Sequence, residues 1–489
     1  MSDQEKKADG TLEPVIPSQS KTQRPGSDFP VRGFRAHARR VVLAAVLAGT
    51  VVAPALPICP SALARAADVN NRLAGAIAAD VGSTPIAEID QAIQSFASRQ
   101  IDDSLKHFQD AVKAHPELPP APVLLAKLAL ADQLLGLARS ALERAAHEAP
   151  EFPDVYLQFG NLALLEGRVT DASLHFEKAR SLLAGKGLSA EQKRRFEIAS
   201  HQGKAAVAEL RGDLNAARES ITAWLALEPN GARARQRLGK ALFGLKNYDE
   251  AYKELQQAFK DEPSLEQPAL SMAWLYTRAG NLKKAEEWIA YAVKSLPSDA
   301  RVHTDAAAWY VEQGRADDAK TQAEAAAKLD PKLVEAQKML GLVARQRHDG
   351  LEAERVFQAM SLESPADNWA RNQLALALAE QPDEAKRRRA LELAELSVRQ
   401  NPKAADALAT LGTVYYRLKR LDDAEKVLQN VFESGKGDSD AAYVLALVAA
   451  EKGNADKAEK LMKTALQAPG LFIYRKDAQQ WLERPIAPK

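Results

Sequence analysis

An alanine recurs along the chain in one local setting, at Ala138, Ala172, Ala217, Ala251, Ala285, Ala319, Ala353, Ala390, Ala424 and Ala458, with Ser104 taking the place upstream. Most steps are 34 residues; the exceptions are 45 between Ala172 and Ala217 and 37 between Ala353 and Ala390. Twelve residues before these alanines a glycine or alanine recurs, as at Gly160, Ala205, Gly239 and Gly341. Twelve residues after them comes a proline, as at Pro150, Pro229, Pro263 and Pro331. A fixed period of this length holds one supersecondary unit per repeat. No unit can bury its apolar face alone, so the units must stack into a quasi-one-dimensional solenoid. The usual division of 489 residues into about three globular domains does not apply.

Within each unit two amphipathic stretches, such as Ala232 to Leu245 and Tyr248 to Lys260, are each long enough for about three helical turns. A short turn between them forces an antiparallel pair. That turn often carries glycine, as at Gly167, Gly212, Gly280, Gly314 and Gly453, where positive φ is easily reached. Small residues at the eighth and twentieth positions let the two backbones approach, and larger ones such as Phe176, Leu255, Ile289, Phe357 and Leu428 fill the layer against the next helix. The late proline cannot continue a helix and ends the second one. Composition agrees: about 90 alanines offset an aromatic content of only 6%, which suits close-packed helices.

At these positions the chain resembles the tetratricopeptide repeat family. Arg235, Leu238-Gly239, Leu242, Ala251, Leu255, Ala258 and Pro263 sit on the family's marked positions, as do Leu408, Leu411-Gly412, Tyr415, Ala424, Leu428 and Val431. The resemblance implies an all-α, right-handed superhelical solenoid of about eleven helix-turn-helix units spanning residues 85–471. Residues 472–484 read as a capping helix in which Ala478, Trp481 and Leu482 cover the open end, followed by a tail at 485–489. Two insertions break the phase, one from Gly185 to Arg194 and one from Glu380 to Arg389, and both read as longer helices or surface loops. The run Lys386-Arg387-Arg388-Arg389 reads as a solvated edge or, alternatively, a site for an acidic partner.

The amino terminus has another character. Residues 1–31 are polar, rich in proline and without apolar periodicity, so no stable structure is expected there. A basic cluster containing Arg39-Arg40, the apolar run Val41 to Ala53 and the sequence Ala64-Arg65-Ala66 have the order of an export signal, so residues 32–66 read as a signal peptide cleaved after Ala66. The alternative retains residues 41–63 as an inner-membrane anchor. Arg39-Arg40 resembles a twin-arginine signal. Cys59 leaves with the signal, and residues 67–84 read as a linker.

Charge excludes little and suggests little: 66 basic against 65 acidic residues give no general attraction to nucleic acid. The eight histidines are scattered, His147-Glu148 lacks the second histidine of a zinc-hydrolase helix, and no nucleophile elbow or phosphate loop appears. No metal, cofactor or catalytic residue is therefore expected. An enzyme with an unrecognised site stays a minor alternative. Function should reside in the groove, where the resemblance places the second, fifth, sixth, ninth and twelfth positions of the first helix toward a peptide. In the third to sixth units these include Gln158, Asn161, Gln202, Arg233, Gln236, Arg237, Lys240, Phe243 and Trp274. Amides, cations and two aromatics suit the backbone, carboxylates and apolar anchor of an extended peptide. Asn161, Arg233 and Arg237 also resemble three of five positions of the family's carboxylate clamp, although Leu157 and Gly203 depart from it. Toward the carboxyl end the groove positions turn apolar, with Leu270, Val311, Leu342, Tyr416 and Tyr443. The expectation is an exported, envelope-located bacterial scaffold for protein or peptide partners, acidic segments among them. An assembly or adaptor subunit of an export or polysaccharide-secretion apparatus is the alternative. Membrane contact would come only through an uncleaved anchor or a membrane-protein partner.

Overall fold

The computed structural model describes residues 62–81, 86–185, 187–468 and 470–483. The expected extension 1–31, nearly all of the export segment with Arg39-Arg40 and Cys59, and the tail 485–489 lie outside the described residues. Among the described residues there are 24 α-helices and no strand.

After α1 (Ala62–Val81), twenty-two helices alternate as first (A) and second (B) members of eleven hairpins. The A helices are α2 (Ala87–Ala97), α4 (Ala121–Ala131), α6 (Pro153–Leu165), α8 (Ala190–Arg211), α10 (Ala232–Gly244), α12 (Pro268–Arg278), α14 (Ala300–Glu312), α16 (Val334–Gln346), α18 (Asn368–Ala379), α20 (Ala405–Arg417) and α22 (Ser439–Glu451). Their B partners are α3 (Ile101–Ala114), α5 (Leu135–Glu148), α7 (Val169–Ser181), α9 (Leu214–Leu227), α11 (Tyr248–Asp261), α13 (Leu282–Ser295), α15 (Ala316–Leu329), α17 (Gly350–Glu363), α19 (Glu384–Gln400), α21 (Leu421–Glu433) and α23 (Ala455–Gln467). A final helix, α24, covers Arg475–Glu483. Several consecutive A helices, such as α18 with α20, pack directly on one another, whereas consecutive B helices stand further apart. The stack therefore bends with the A helices inside, and their outer face lines a groove.

The close approach has a visible cause. A Cβ placed on Gly160 would sit 2.5 Å from the Phe176 ring, and one on Gly203 would sit 2.4 Å from the same ring. Phe176, on α7, is thus clasped between two A helices that lack side chains at the contact, and it is 1% exposed. Gly341 with Phe357 and Gly412 with Leu428 repeat the within-hairpin half of the arrangement at 2.4 and 2.6 Å. Gly203 is glycine because it packs on Phe176, which is why no clamp asparagine can stand there; Leu157 is likewise core, not groove. The turns show the local signal and its limit. Gly167, Gly212, Gly280, Gly314 and Gly453 have positive φ, and five other turns place Arg99, Gln133, Lys246, His348 and Lys419 in the same left-handed region at 58° to 67°. Each such side chain costs about 1 kcal/mol, which hairpin packing covers.

Two expectations need correcting, at residues 67–81 and at 472–474, while the first insertion takes the longer-helix form expected of it. Residues 67–81 are not linker but belong to α1, because Leu73 and Ile77 bury completely against α2 and α4 in a cluster with Ile89, Ile93, Leu124 and Leu128. The insertion after α7 adds a short 3-10 turn and then extends α8 at its start, where Ser189 and Gln192 form a reciprocal capping box. The carboxyl-terminal segment does more than cap: Ala478 is buried as expected, but Phe472, Ile473 and Tyr474 precede the helix and reach the groove of earlier units.

Gly203→Leu is expected to destabilise the chain by about 1–3 kcal/mol through overpacking against Phe176. Gly203→Leu combined with Phe176→Ala should recover part of that loss, as read by thermal melting. Equal melting of wild type and Gly203→Leu would show that the clasp does not set the spacing.

Candidate functional site

The groove has three differently built stretches. At its amino end α1 lies over the A helices through a charge network. Lys127 on α4 meets Asp80 of α1 at 2.5 Å and Asp154 of α6 at 2.6 Å, and Arg195 on the extended start of α8 meets Asp80 at 2.6 Å. Both carboxylates are almost fully buried. Burial pushes the Asp80 carboxyl up against the pull of Lys127, whereas burial of Lys127 is more than offset by Asp154 and Asp80, so its pKa rises. Two charges of each sign make the cluster neutral. The insertion before α8 therefore supplies a reach across the groove, since Arg195 also donates to the carbonyl of Ala79 and Gln192 to that of Glu117. Gln158 and Asn161, expected as peptide contacts, belong to this stretch. Gln158 donates to Asp154 at 2.7 Å and accepts from Asn161 at 3.1 Å, so their amides are engaged within the chain.

The middle stretch, from α8 to α14, is where most of the other expected residues gather. Lys240 is exposed to the groove, but the walls around it strip away bulk water and lower its pKa, with Glu266 and Glu209 opposing and Arg278 reinforcing. Arg237 donates to Glu209 at 3.0 Å and its guanidinium lies 5.7 Å from the Trp224 ring. Arg233 lies 3.8 Å from Glu262. Gln202, Gln236 and Trp274 are half-buried in the same region. Phe243 is a correction: only 8% exposed, it packs edge-on against Tyr248 and Tyr276 at 5.1 and 4.8 Å, and so it is core rather than a ligand anchor. The clamp resemblance fails with it, because Asn161 is tied to the Asp154 network while Arg233 and Arg237 pair with their own carboxylates.

Sequence reading missed the acidic half of this stretch. Asp305 on α14 has its carboxyl pushed up to about 7, first by burial and then by Glu266 and Asp299, with Arg301 opposing. Glu266 accepts from the Ser271 hydroxyl at 2.5 Å. Asp305 occupies the sixth position of its A helix, so the signal that picked out Arg237 two units earlier would have found it. Cations at Lys240 and Arg278 thus stand beside carboxyls at Glu209, Glu266 and Asp305.

The carboxyl stretch is covered by the chain itself. The apolar positions Leu342, Tyr416 and Tyr443 are buried here, as are Leu270 and Val311 on α12 and α14 of the middle stretch. Tyr443 stacks on Tyr474 at 4.8 Å and meets Phe472 edge-on at 6.2 Å. Arg345, on α16, donates to the Tyr474 hydroxyl at 2.9 Å and to Glu380 at 2.7 Å, and Tyr474 donates in turn to Glu380. Burial opposes the charge on both Arg345 and Glu380, yet their mutual attraction prevails, raising the one pKa and lowering the other. The second insertion delivers this group: Gln381 is buried on the carbonyl of Gly350, and Lys386 pairs with Glu354 at 2.6 Å, so part of the basic run is engaged inside the chain. Among the described residues no three metal-ligating side chains gather, and no helix is long and apolar enough to cross a membrane.

Asp305 sets a pH dependence. Its folded pKa near 7 exceeds the unfolded value of 3.8, so between them the folded chain binds more protons and loses stability as pH rises. The melting temperature of Asp305→Asn relative to wild type should therefore climb from pH 5 to pH 8. A difference independent of pH would contradict the assignment.

Two family models, each described as tetratricopeptide repeat, match the chain, one at residues 304–368, 383–431 and 410–471 and the other at 208–270 and 246–310. No curated protein matches. Among solved structures, yeast Tom70 is 16% identical with a TM-score of 0.33, covering 81% of this chain and 94% of its own. A tetratricopeptide repeat protein from Parabacteroides merdae is 18% identical with a TM-score of 0.37, covering 52% of this chain and 98% of its own. The Cut9 and Hcn1 hetero-tetramer of APC/C gives 13% identity and a TM-score of 0.34, with 81% and 95% covered. With the family models spanning the stretch from α8 to α23 and the hairpin period kept through eleven units, the chain belongs to the tetratricopeptide repeat family.

Proposed function

We propose that the protein is an exported, non-catalytic scaffold that holds protein partners in the middle stretch of its A-helix groove. A tetratricopeptide solenoid is an interaction fold, and its partners are proteins or peptides. The observation that carries the choice of site is the difference in cover: α1 and residues 472–474 lie over the two ends, while Lys240 and Arg278 remain exposed between them. Exposed cations in a concavity, with Gln202 and Gln236 nearby, suit a segment that presents acidic side chains and backbone amides. The neighbouring carboxyls of Glu266 and Asp305 would fix its direction by repelling acidic residues there.

Lys240→Glu combined with Arg278→Glu is expected to weaken binding of an acidic partner peptide by about tenfold or more with helicity retained, since both side chains are exposed, while repulsion from Glu209 and Glu266 lowers the melting temperature modestly. Unaltered affinity would move the site elsewhere.

Export rests on the order of basic, apolar and small-residue segments before Ala66. Cleavage there would leave Leu73, Ile77 and Asp80 in α1, so the cover over the amino end would survive processing. N-terminal sequencing of the mature protein should begin at Ala67 in an envelope or periplasmic fraction. An intact residue 1–66 segment in a soluble cytoplasmic fraction would overturn it. A groove with separate dipolar and aromatic stretches also favours an adaptor that joins two partners, the form an assembly subunit of an envelope secretion apparatus would take.

A further inference from the structure

The segment Phe472-Ile473-Tyr474 is bound in the manner of a ligand. Its three side chains are 0%, 5% and 3% exposed, while Leu471 just before them is 42% exposed. It forms no helix. The backbone N–H of Ile473 donates to a side-chain carboxylate, Asp440 on α22, at 3.0 Å. The Tyr474 hydroxyl is read at both lone pair and proton, accepting from Arg345 and donating to Glu380. The ring lies flat on Tyr443, with interplanar angle 17°. These contacts come from three different hairpins, and they lie at or next to the groove-facing positions of the A helices.

An end cap does not need this. Covering the last hairpin requires Ala478, with Trp481 and Leu482 packed beside it, all within α24. Tyr474 instead reaches 129 residues back in sequence to Arg345. The segment lies between α23, which ends at Gln467, and α24, which begins at Arg475, and belongs to neither helix; Gly470 just before it has φ +103°. The bound state also carries unsatisfied groups, since Arg417 Nε and Arg475 Nε are buried without hydrogen-bond partners. Such groups favour exchange with water or with a better-fitting occupant.

We propose that the carboxyl-terminal half of the groove is a second peptide site, which selects two consecutive apolar residues followed by a tyrosine, and that residues 472–474 occupy it in cis. The proposal rests on the reading that the A-helix face binds peptides. Arg345 and Glu380 demand a hydroxyl that both donates and accepts, Tyr443 demands an aromatic ring, and Asp440 demands a free backbone N–H one residue earlier. A phenylalanine fills the ring position but leaves two buried charged groups short of a partner. Release uncovers Asp440, whose carboxyl is pushed up to about 7 by burial and by Asp438, with Arg345 and the Ile473 N–H opposing and Glu380 reinforcing. Rising pH therefore favours departure of the cis segment.

The test uses the full chain and a synthetic peptide copying residues 470–484. Excess peptide should bind by fluorescence anisotropy and raise amide hydrogen exchange of residues 471–474 about tenfold, measured by mass spectrometry. The same peptide carrying Tyr474→Phe should bind about tenfold more weakly. The full chain carrying Tyr474→Phe should bind the unaltered peptide more tightly, because its own occupant is weakened. Absence of peptide binding to both full-length chains, or exchange of 471–474 as slow as that of α20 with and without peptide, would overturn the proposal. Lys240→Glu with Arg278→Glu should leave this peptide's binding unchanged. Loss of acidic-peptide binding in that variant while the 470–484 peptide fails throughout would sink the second site alone; the opposite pattern would sink the middle-stretch reading alone.

Discussion

The spacing between paired helices governs everything else in this chain. Phe176 lies where two A-helix glycines remove their side chains, and the within-hairpin half of the pattern recurs with Gly341 against Phe357 and Gly412 against Leu428. Close approach at these points gives dense packing without large residues, so alanine can dominate the interior. The same small contacts let consecutive A helices draw together while B helices splay. Curvature, and with it the groove, is a consequence of side-chain volume at two positions per unit.

A stack of such units leaves its inner face lined by polar and half-apolar side chains over a great length, and the two ends of this chain answer that in different chemistry. At the amino end α1 brings one buried face with Leu73 and Ile77, and Asp80 completes a neutral network with Lys127, Asp154 and Arg195. At the carboxyl end Phe472 and Ile473 bring apolar area, and Tyr474 brings a hydroxyl between Arg345 and Glu380. In both cases a buried charge that already has one partner in the solenoid gains another when one particular segment arrives. Such contacts fix register strongly and add little net stability, because desolvation offsets most of the attraction.

Periodicity made the hairpins legible. A 34-residue phase, the glycine and alanine positions and the terminating prolines placed the paired helices, because each unit repeats the same local compromise; α8, lengthened at its start by the first insertion, departs most from the phase. What lay outside the phase was not legible. Residues 67–81 carry no repeat mark, so nothing local announces that Leu73, Ile77 and Asp80 have partners in α4 and α8. Tyr474 gives no hint of Arg345, 129 residues earlier. Within the candidate site, positional reading found the exposed Lys240 but could not tell that Phe243 would turn toward Tyr248 and Tyr276. A ring at a groove position packs inward whenever neighbouring aromatics offer more buried area than solvent does, and sequence spacing does not record that competition.

The charged covers also explain how one groove can hold unlike surfaces side by side. Had apolar area alone covered the ends, the same helix faces would have to be apolar throughout, and an empty stretch would be an adhesive patch. Charge pairing localises the cover instead: Asp80 stops at Lys127 and Arg195, and Tyr474 stops at Glu380. Between those stops the groove can remain wet and dipolar, with Lys240 and Arg278 facing Glu209, Glu266 and Asp305. A carboxyl such as Asp305, held near neutrality by its surroundings, then makes the field of that stretch depend on pH without moving any helix. The scaffold is set by volume, and what it accepts is set by where charge is left unburied.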